Sequence, residues 1–554
     1  MFEVLKSKTR PLAKGKYPGF GQEVIEHEAF DWHKDVAVPL RDGVIIYVDI
    51  YFPKNLSEPI PAIIGWSPYG KHGYKNLGML PGNGVDPAWV SKYAIWEGAD
   101  PAYWCPRGFA IVSPDARGSW KSEGELTLWS PQEAQDGYDV IEWLAVQEWC
   151  NGKVGMLGVS YLAMSQYSIA ATRPPHLAAI CPWEGVCDIY RELLLHGGIP
   201  ETSFSRWWRE NSRFSLKEVE DFVLMQQAHP LFDDYWATKV ADLSAIEVPS
   251  FVVASWTDQG CHTRGTLEAF RRIGSQQKWL LVHGDKKWKH FYDPRNVQRQ
   301  TEFFDTFLKG KVGMMDHWPD VQLEIRDNTK KSRYITSTTW PLKGTEYRTL
   351  FLDAGSGKLE PGQVARRSTG QYKSDEKESR LTFDILIDQE TCVVGYAKLK
   401  LWVSTEDADE MDIFVALQKL DAAGKLVPIH FYCYFEEGPV ALGWLRSSHR
   451  ELDEIRSTFF QPYHTHARKQ PLVPGQVYPV EVEIWPSGTD FHAGDILRVV
   501  VQGHDIHRFD NGSIEVGHTT RNHGLNFIHT GGDCDSHLIL PICTEATEAK
   551  AISL

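Results

Sequence analysis

The segment Gly158-Val159-Ser160-Tyr161-Leu162 sets a serine between an apolar run at 154–157 and a helix-compatible stretch that ends before Pro174-Pro175. A serine on a sharp strand-to-helix turn projects its hydroxyl clear of a sheet, and the strained turn needs small neighbours, of which Gly158 is one. Leu162 stands where such turns usually carry a second glycine, so the pattern alone also fits a serine that merely caps a helix. A hydroxyl becomes a nucleophile beside a general base, and the base needs a carboxylate to orient it. Two later loops offer these groups. Asp258 follows the run 250–255 in Trp256-Thr257-Asp258, and His290 lies beyond the run 279–282, with room for one helix at 264–273 between them. The order Ser, Asp, His is the chain order of acyl-transferring serine enzymes built on a mainly parallel sheet. Of the competitors, His283 at a strand end reads as a core histidine, and Asp285 shares its loop. Asp115 precedes the serine and reads as a loop-ordering partner of Arg117.

Such a triad needs a sheet whose strand ends deliver all three loops to one edge. From about 61 to 310 the chain alternates short apolar runs with helix-like segments, the pattern of βα units. Strands are expected at 62–66, 109–113, 154–158, 178–181, 250–255 and 279–282, without strict alternation, as strands covered on both faces should be. The better-alternating stretch 44–52 is expected nearer the sheet edge. One helix start is well marked: Ser130 as N-cap, Pro131 at the first position and Glu133 completing a capping box. The stretch 188–246 carries Trp207, Trp208, Phe214, Phe222, Tyr235 and Trp236 among polar residues without a clear strand, and reads as a helical insertion over the site. After about 313 the helical period fades into runs at 396–403, 413–420, 477–484 and 496–501 between Gly, Pro and Asp turns, an all-β unit of sandwich or jelly-roll type. No internal repeat or low-complexity tract is present.

Composition limits the partners. The 554 residues suggest three or four structural units at about 150 residues each. With 42% hydrophobic and 24% charged residues the chain reads as globular. Its 58 Lys and Arg against 73 Asp and Glu give a net charge of −15, opposite to what phosphate neutralisation requires, so nucleic acid is not expected as a partner. No run of 18 apolar residues occurs, so no membrane partner is expected. The N-terminus is basic but has no apolar stretch, and the nine cysteines form no CxxC pair; both favour a cytoplasmic protein with reduced thiols. The histidines at 504, 507, 518, 523, 529 and 537 lack metal-ligand spacing, and Gly355-Ser356-Gly357-Lys358 lies between strand-like runs and reads as a turn. No metal and no cofactor are expected. Aromatic residues make up 12% of the chain, which fits either a bulky core or an aromatic-walled pocket.

Taken together, Pro68-Tyr69, Asp115-x-Arg117-Gly118 with Ser122-x-Gly124, Gly158-x-Ser160-Tyr161, Trp256-x-Asp258 and Trp288-x-His290 resemble the cocaine esterase / X-Pro dipeptidyl-peptidase (CocE/NonD) family. The resemblance covers nearly the whole chain, with Gly494-Asp495-Ile496-Leu497-Arg498-Val499 and Ser536-His537-Leu538-Ile539-Leu540-Pro541 similar to strands of that family's C-terminal jelly-roll. It implies an α/β-hydrolase core (1–187 and 246–313), an inserted helical cap (188–245) and a jelly-roll domain (314–554). It also implies Ser160 as nucleophile, His290 as general base and acid, Asp258 as its orienter, and an oxyanion hole from the Tyr69 hydroxyl and the Tyr161 backbone N–H. The family often has a short Gly-Pro-Trp-x-His link, whereas this chain reads His283-Gly284-Asp285-Lys286-Lys287-Trp288-Lys289-His290.

The expected reaction is cleavage of a small-molecule carboxylic ester or amide through an acyl-enzyme. An X-Pro dipeptidyl-peptidase and an acyltransferase or thioesterase are alternatives on the same scaffold, and a non-catalytic binding protein is disfavoured by the complete triad. A peptidase must also hold a free amino group, for which Glu184, Asp188 and Glu192 are available. Trp66, Trp183, Tyr190, Trp207, Trp208, Trp256 and Trp288 are the candidate pocket walls. A homo-oligomer is left open.

Overall fold

A computed structural model describes residues 2–9, 19–71, 77–211, 214–432, 435–507, 517–544 and 547–549. Its central sheet contains β1 (Phe30–Pro39), β2 (Ile45–Pro53), β3 (Ile60–Ile64), β4 (Ala110–Asp115), β5 (Cys150–Val159), β6 (Leu177–Trp183), β7 (Ser250–Ser255), β8 (Lys278–His283) and β9 (Val321–Arg326). Hydrogen bonding runs β1-β2-β4-β3-β5-β6-β7-β8-β9, antiparallel from β1 to β4 and parallel from β4 to β9. All five residues of β3 and all six of β7 are buried, which explains their unalternating Val, Ile and Ala composition. Every sequence-expected strand of this region appears, 250–255 with the same bounds and the others shifted by a few residues at their ends.

Helices cover the sheet. In α1 (Pro131–Ala145) the Ser130 side chain accepts from the Glu133 backbone N–H, 3.1 Å away. The reciprocal half of the capping box is absent. Glu133 instead turns inward, accepting from the Trp129 N–H (2.6 Å), the Trp66 indole (3.0 Å) and the Tyr161 hydroxyl (2.8 Å). α2 (Tyr161–Ala171) follows β5 directly. Between β6 and β7 the chain forms a short π-helical turn (Tyr190–Leu194), α3 (Phe204–Asn211), α4 (Phe222–Ala228) and the single turn Asp234–Ala237. The segment is not wholly helical: Glu218–Glu220 pairs antiparallel with Lys6–Lys8 near the N-terminus. α5 (Thr263–Arg272) follows β7, and α6 (Lys287–Tyr292) and α7 (Pro294–Lys309) follow β8.

Beyond β9 the regular elements among the described residues are strands apart from one short 3-10 turn. Thr391–Thr405 pairs with Tyr478–Phe491, and Asp412–Leu420 with both Ala441–Arg446 and Ile496–Gln502, all antiparallel. Alternate residues Leu399, Leu401, Val403, Ile413, Val415, Leu417, Val480, Val482 and Ile484 point into a second apolar core. The two parts are joined by more than a linker. Arg326 at the end of β9 is buried, and its guanidinium donates to the carbonyls of Gly488 and Val440 and to the Ser487 hydroxyl.

Candidate active site

Ser160 sits at the junction of β5 and α2 with φ +59° and ψ −118°, a conformation a non-glycine residue holds only where its surroundings impose it. Its N–H donates to the carbonyls of Trp183 (3.0 Å) and Glu184 (3.1 Å) on the neighbouring strand end. Gly158 is required: a Cβ there would lie 2.3 Å from that of Leu162 and 2.9 Å from the Glu97 carbonyl. Leu162 replaces the second glycine of the turn because three glycines make room for it. Its Cδ2 packs where Gly65, Gly98 and Gly158 lack side chains.

The side chain that reaches the Ser160 hydroxyl is His262. Its Nε2 lies 3.1 Å from Ser160 Oγ, and its Nδ1 bonds to Asp258 Oδ2. Asp258 and His262 share one turn after β7, closed by the N–H groups of Cys261 and His262 on the Asp258 carbonyl (both 3.1 Å). His262 then precedes the first residue of α5, so its ring folds back onto the acid four residues earlier.

His290 does not reach the serine. Residues 287–292 form a helical turn, and His290 stacks on His283 with ring centroids 3.7 Å apart; its Nε2 has no hydrogen-bond partner among the described residues. Burial, then His283, depresses the basicity of His290 far below the ordinary histidine range. The expectation for His290 is corrected on this geometry. The same helical phase turns Lys287 inward instead, 3.2 Å from Asp258 Oδ2 and 3.4 Å from His262 Nδ1. His283 is buried and bonds Glu184 Oε1 through Nε2 at 3.0 Å. Asp115 does not order Arg117, whose guanidinium pairs with Asp136 (2.7 Å) and Asp42 (2.8 Å), while Asp115 accepts from the Lys71 N–H (3.0 Å).

The electrostatics suit a general base. Burial raises the Asp258 carboxyl, but Lys287 and His262 outweigh it and hold the group well below the usual carboxylate range. Burial, then Lys287, lowers the basicity of His262 against the opposing pull of Asp258, which favours the neutral imidazole needed to accept a proton. Asp258, Cys261 and His262 also present possible metal-ligand atoms within 4.8 Å of one another. The ammonium of Lys287 beside Asp258 opposes a cation there, and the bonds to Ser160 and Asp258 already use both nitrogens of His262.

A cavity opens on Ser160, with about 380 Å³ of empty space, part of it open to solvent. Ser160, His262, Tyr69 and Tyr161 line it together with Trp129, Met164, Leu193, Leu194, Phe204, Ser205, Trp208 and Phe222. Its aromatic wall is layered: Trp129 stacks on Tyr161 at 4.3 Å and on Phe222 at 5.1 Å. Trp208 lies parallel to Tyr161 and donates from its indole to the Tyr69 hydroxyl at 3.3 Å. The Tyr161 N–H belongs to the first turn of α2, where amides have no acceptor within the helix.

Of the seven aromatic residues expected to wall the pocket, Trp208 alone does so. Trp66 donates to Glu133, Trp183 to Cys181 Sγ (3.2 Å), Tyr190 to the Pro230 carbonyl (2.9 Å), Trp256 to the Glu324 carbonyl (2.6 Å) and Trp288 to Glu97 (2.8 Å). Trp207 is half-buried away from the cavity lining. Trp129, Phe204 and Phe222 were not anticipated. The three acids considered for amine binding are engaged elsewhere: Glu184 with Ser255 and His283, Asp188 with Arg191, and Glu192 with Arg264.

Residues 42–292 match the X-Pro dipeptidyl-peptidase (S15 family) model, and 313–539 match the X-Pro dipeptidyl-peptidase C-terminal non-catalytic domain. A solved CocE/NonD family hydrolase from Staphylococcus aureus is 38% identical, with a TM-score of 0.90 over 97% of this chain and 99% of that one. The cocaine esterase of Rhodococcus sp. (strain MB1 Bresler) is 24% identical over 92% of this chain and 98% of its own length. The Xaa-Pro dipeptidyl-peptidase of Lactobacillus helveticus (strain DPC 4571) is 36% identical over 58% of this chain and 49% of its own. The chain is therefore a serine hydrolase of ester or amide bonds. It belongs to the CocE/NonD, X-Pro dipeptidyl-peptidase-like family. Among the described residues no helix is long and apolar enough to cross a membrane.

Proposed function

We propose that the protein hydrolyses small carboxylic esters whose acyl or alcohol part is apolar or aromatic, with Ser160, His262 and Asp258 as its triad. The observation that carries this is the contact of Ser160 Oγ with His262 Nε2 at 3.1 Å, backed by the bond from His262 Nδ1 to Asp258. The Ser160 oxygen attacks the carbonyl carbon while His262 takes its proton, forming a tetrahedral oxyanion. The Tyr69 hydroxyl and the Tyr161 N–H donate to that oxygen. The C–O bond to the alcohol breaks as His262 returns the proton to the departing oxygen. Water, deprotonated by His262, then attacks the acyl-Ser160 carbonyl, and the acid leaves with the serine restored.

An ester is favoured over an X-Pro peptide because no carboxylate lines the cavity among the described residues, and Glu184, Asp188 and Glu192 are already paired. A free α-amino group would enter an apolar wall unpaired, at a cost of several kcal/mol. We further read the core as an α/β-hydrolase, residues 188–245 as its cap and the region from 314 as a jelly-roll. The strand order of the sheet, the contribution of Leu193, Leu194, Phe204, Ser205, Trp208 and Phe222 to the cavity and the antiparallel C-terminal pairing support this.

The test is labelling with a fluorophosphonate, followed by assays on aryl esters beside a Gly-Pro anilide. Wild type should label and Ser160→Ala should not, with turnover lower by about a million-fold. Equal labelling of both would refute the nucleophile, and preferential anilide cleavage would replace the ester reading by the peptidase.

A further inference from the structure

Three lysines crowd the loop after β8, and they face different ways. Lys286 reaches Glu436 at 3.1 Å, and Lys289 reaches Asp285 at 2.6 Å. Lys287 turns into the interior, where its side chain is only 6% exposed, and donates to Asp258 Oδ2 at 3.2 Å. That is the oxygen already bonded to His262 Nδ1, while the other carboxylate oxygen, Oδ1, is buried without a hydrogen-bond partner among the described residues. The ammonium lies 5.6 Å from the Trp288 ring centroid and 5.9 Å from that of Tyr432, so aromatic faces rather than water surround much of it.

We propose that Lys287 is a positioning residue of the hydrolytic relay, clamping the Asp258 carboxylate against His262 and setting the pH range over which His262 serves as base. The inference rests on the Ser160–His262–Asp258 reading above. Two effects follow from the geometry. The ammonium neutralises a buried carboxylate that would otherwise face a neutral imidazole, so the anion keeps both its charge and its direction. At 3.4 Å from Nδ1, an atom whose proton is directed at Asp258, the same ammonium repels the imidazolium and keeps the base neutral at lower pH.

The other groups around His262 bear on the same balance. From its own loop come Asp258 and Cys261, whose Sγ lies 3.6 Å from Nε2; Ser160 comes from the β5–α2 turn, and Glu184 from the end of β6 raises the basicity of His262. Around Lys287 itself, Glu97 and Tyr69 also feel its charge. Lys287 is the cation in this set that touches both members of the Asp–His pair.

The test is the pH dependence of kcat/KM on one aryl ester for wild type, Lys287→Met, Lys287→Gln and Lys287→Arg, with folding checked by circular dichroism. Loss of the charge in the Met and Gln variants should move the acid limb, where His262 becomes protonated, upward by about one pH unit. It should also lower the plateau about tenfold. Arg should keep the limb near its wild-type position. If Met fails to fold, Gln and Arg still give the comparison. An acid limb that stays in place while activity falls equally at every pH would overturn the proposal and leave Lys287 a packing residue. Failure of the underlying triad looks different: wild type would not label at Ser160, or His262→Gln would keep full activity.

Discussion

At the scale of single residues, two histidines compete for one role, and their surroundings separate them. His262 has a hydroxyl at one nitrogen and a carboxylate at the other, the two contacts a general base needs to take and hold a proton. His290 has a stacked ring and an enclosed Nε2 without a hydrogen-bond partner among the described residues. His262→Gln should therefore abolish ester turnover nearly as completely as Ser160→Ala, while His290→Gln should keep wild-type kcat and alter the melting temperature instead. Steady-state kinetics beside thermal melts checks both. The sequence contained the signal for His262, a histidine four residues after a strand-end acid. It was obscured because Trp288-x-His290 matches a familiar family pattern at the expected place in the chain.

At the scale of elements, α6 explains why that pattern misleads. Two more residues separate Gly284 from the Trp-x-His pattern here than in the short family link, and Lys287 to Tyr292 wind into a helical turn. Helical phase then decides which side chain faces Asp258 and His262: Lys287 does, and His290 lands against β8. The neighbouring Glu97 makes a measurable pH term. It holds φ +61°, accepts from the Trp288 indole through Oε1, and buries Oε2 without a hydrogen-bond partner among the described residues. Burial, against the opposing pull of Lys287 and Trp288, pushes its carboxyl up to about 7. Between the ordinary carboxylate range and pH 7 the folded protein therefore holds a proton that the unfolded chain has released, so this group's contribution to stability falls as pH rises through that window. Glu97→Gln should make the decline of melting temperature between about pH 5 and 7 shallower, and an unchanged slope would show that the carboxyl is ionised throughout.

At the scale of the whole molecule, the C-terminal β region holds the loop on which the acid and base sit. Gln259, between Asp258 and His262, donates to the Pro486 carbonyl (3.0 Å) and accepts from the Leu442 N–H (3.2 Å), and the Tyr432 N–H donates to the Thr257 carbonyl (2.6 Å). Gln259→Leu should leave both C-terminal partners unsatisfied, cost about 1–3 kcal/mol of stability and lower kcat more than it changes KM. Denaturant melts and Michaelis–Menten kinetics would show it; a pure KM effect would place Gln259 in substrate binding instead. Strand positions, the Ser160 turn and the acid after β7 could be read from local patterns, because apolar runs, glycine requirements and chain order are properties of neighbours in sequence. The base, the pocket walls and the partners of Arg117 could not, because each depends on the direction in which a side chain leaves its helix or loop. Trp129 meets Phe204 and Phe222 around Ser160 from a separate part of the chain, whereas Trp256, two residues before Asp258, points into the core. Sequence alone determined that this chain has an elbow serine, an acid two parallel strands later in chain order and a β region at its end. Tertiary structure decided which histidine meets Ser160 and which lysine meets Asp258, since only the packing of α6 and the C-terminal strands against one turn sets those distances.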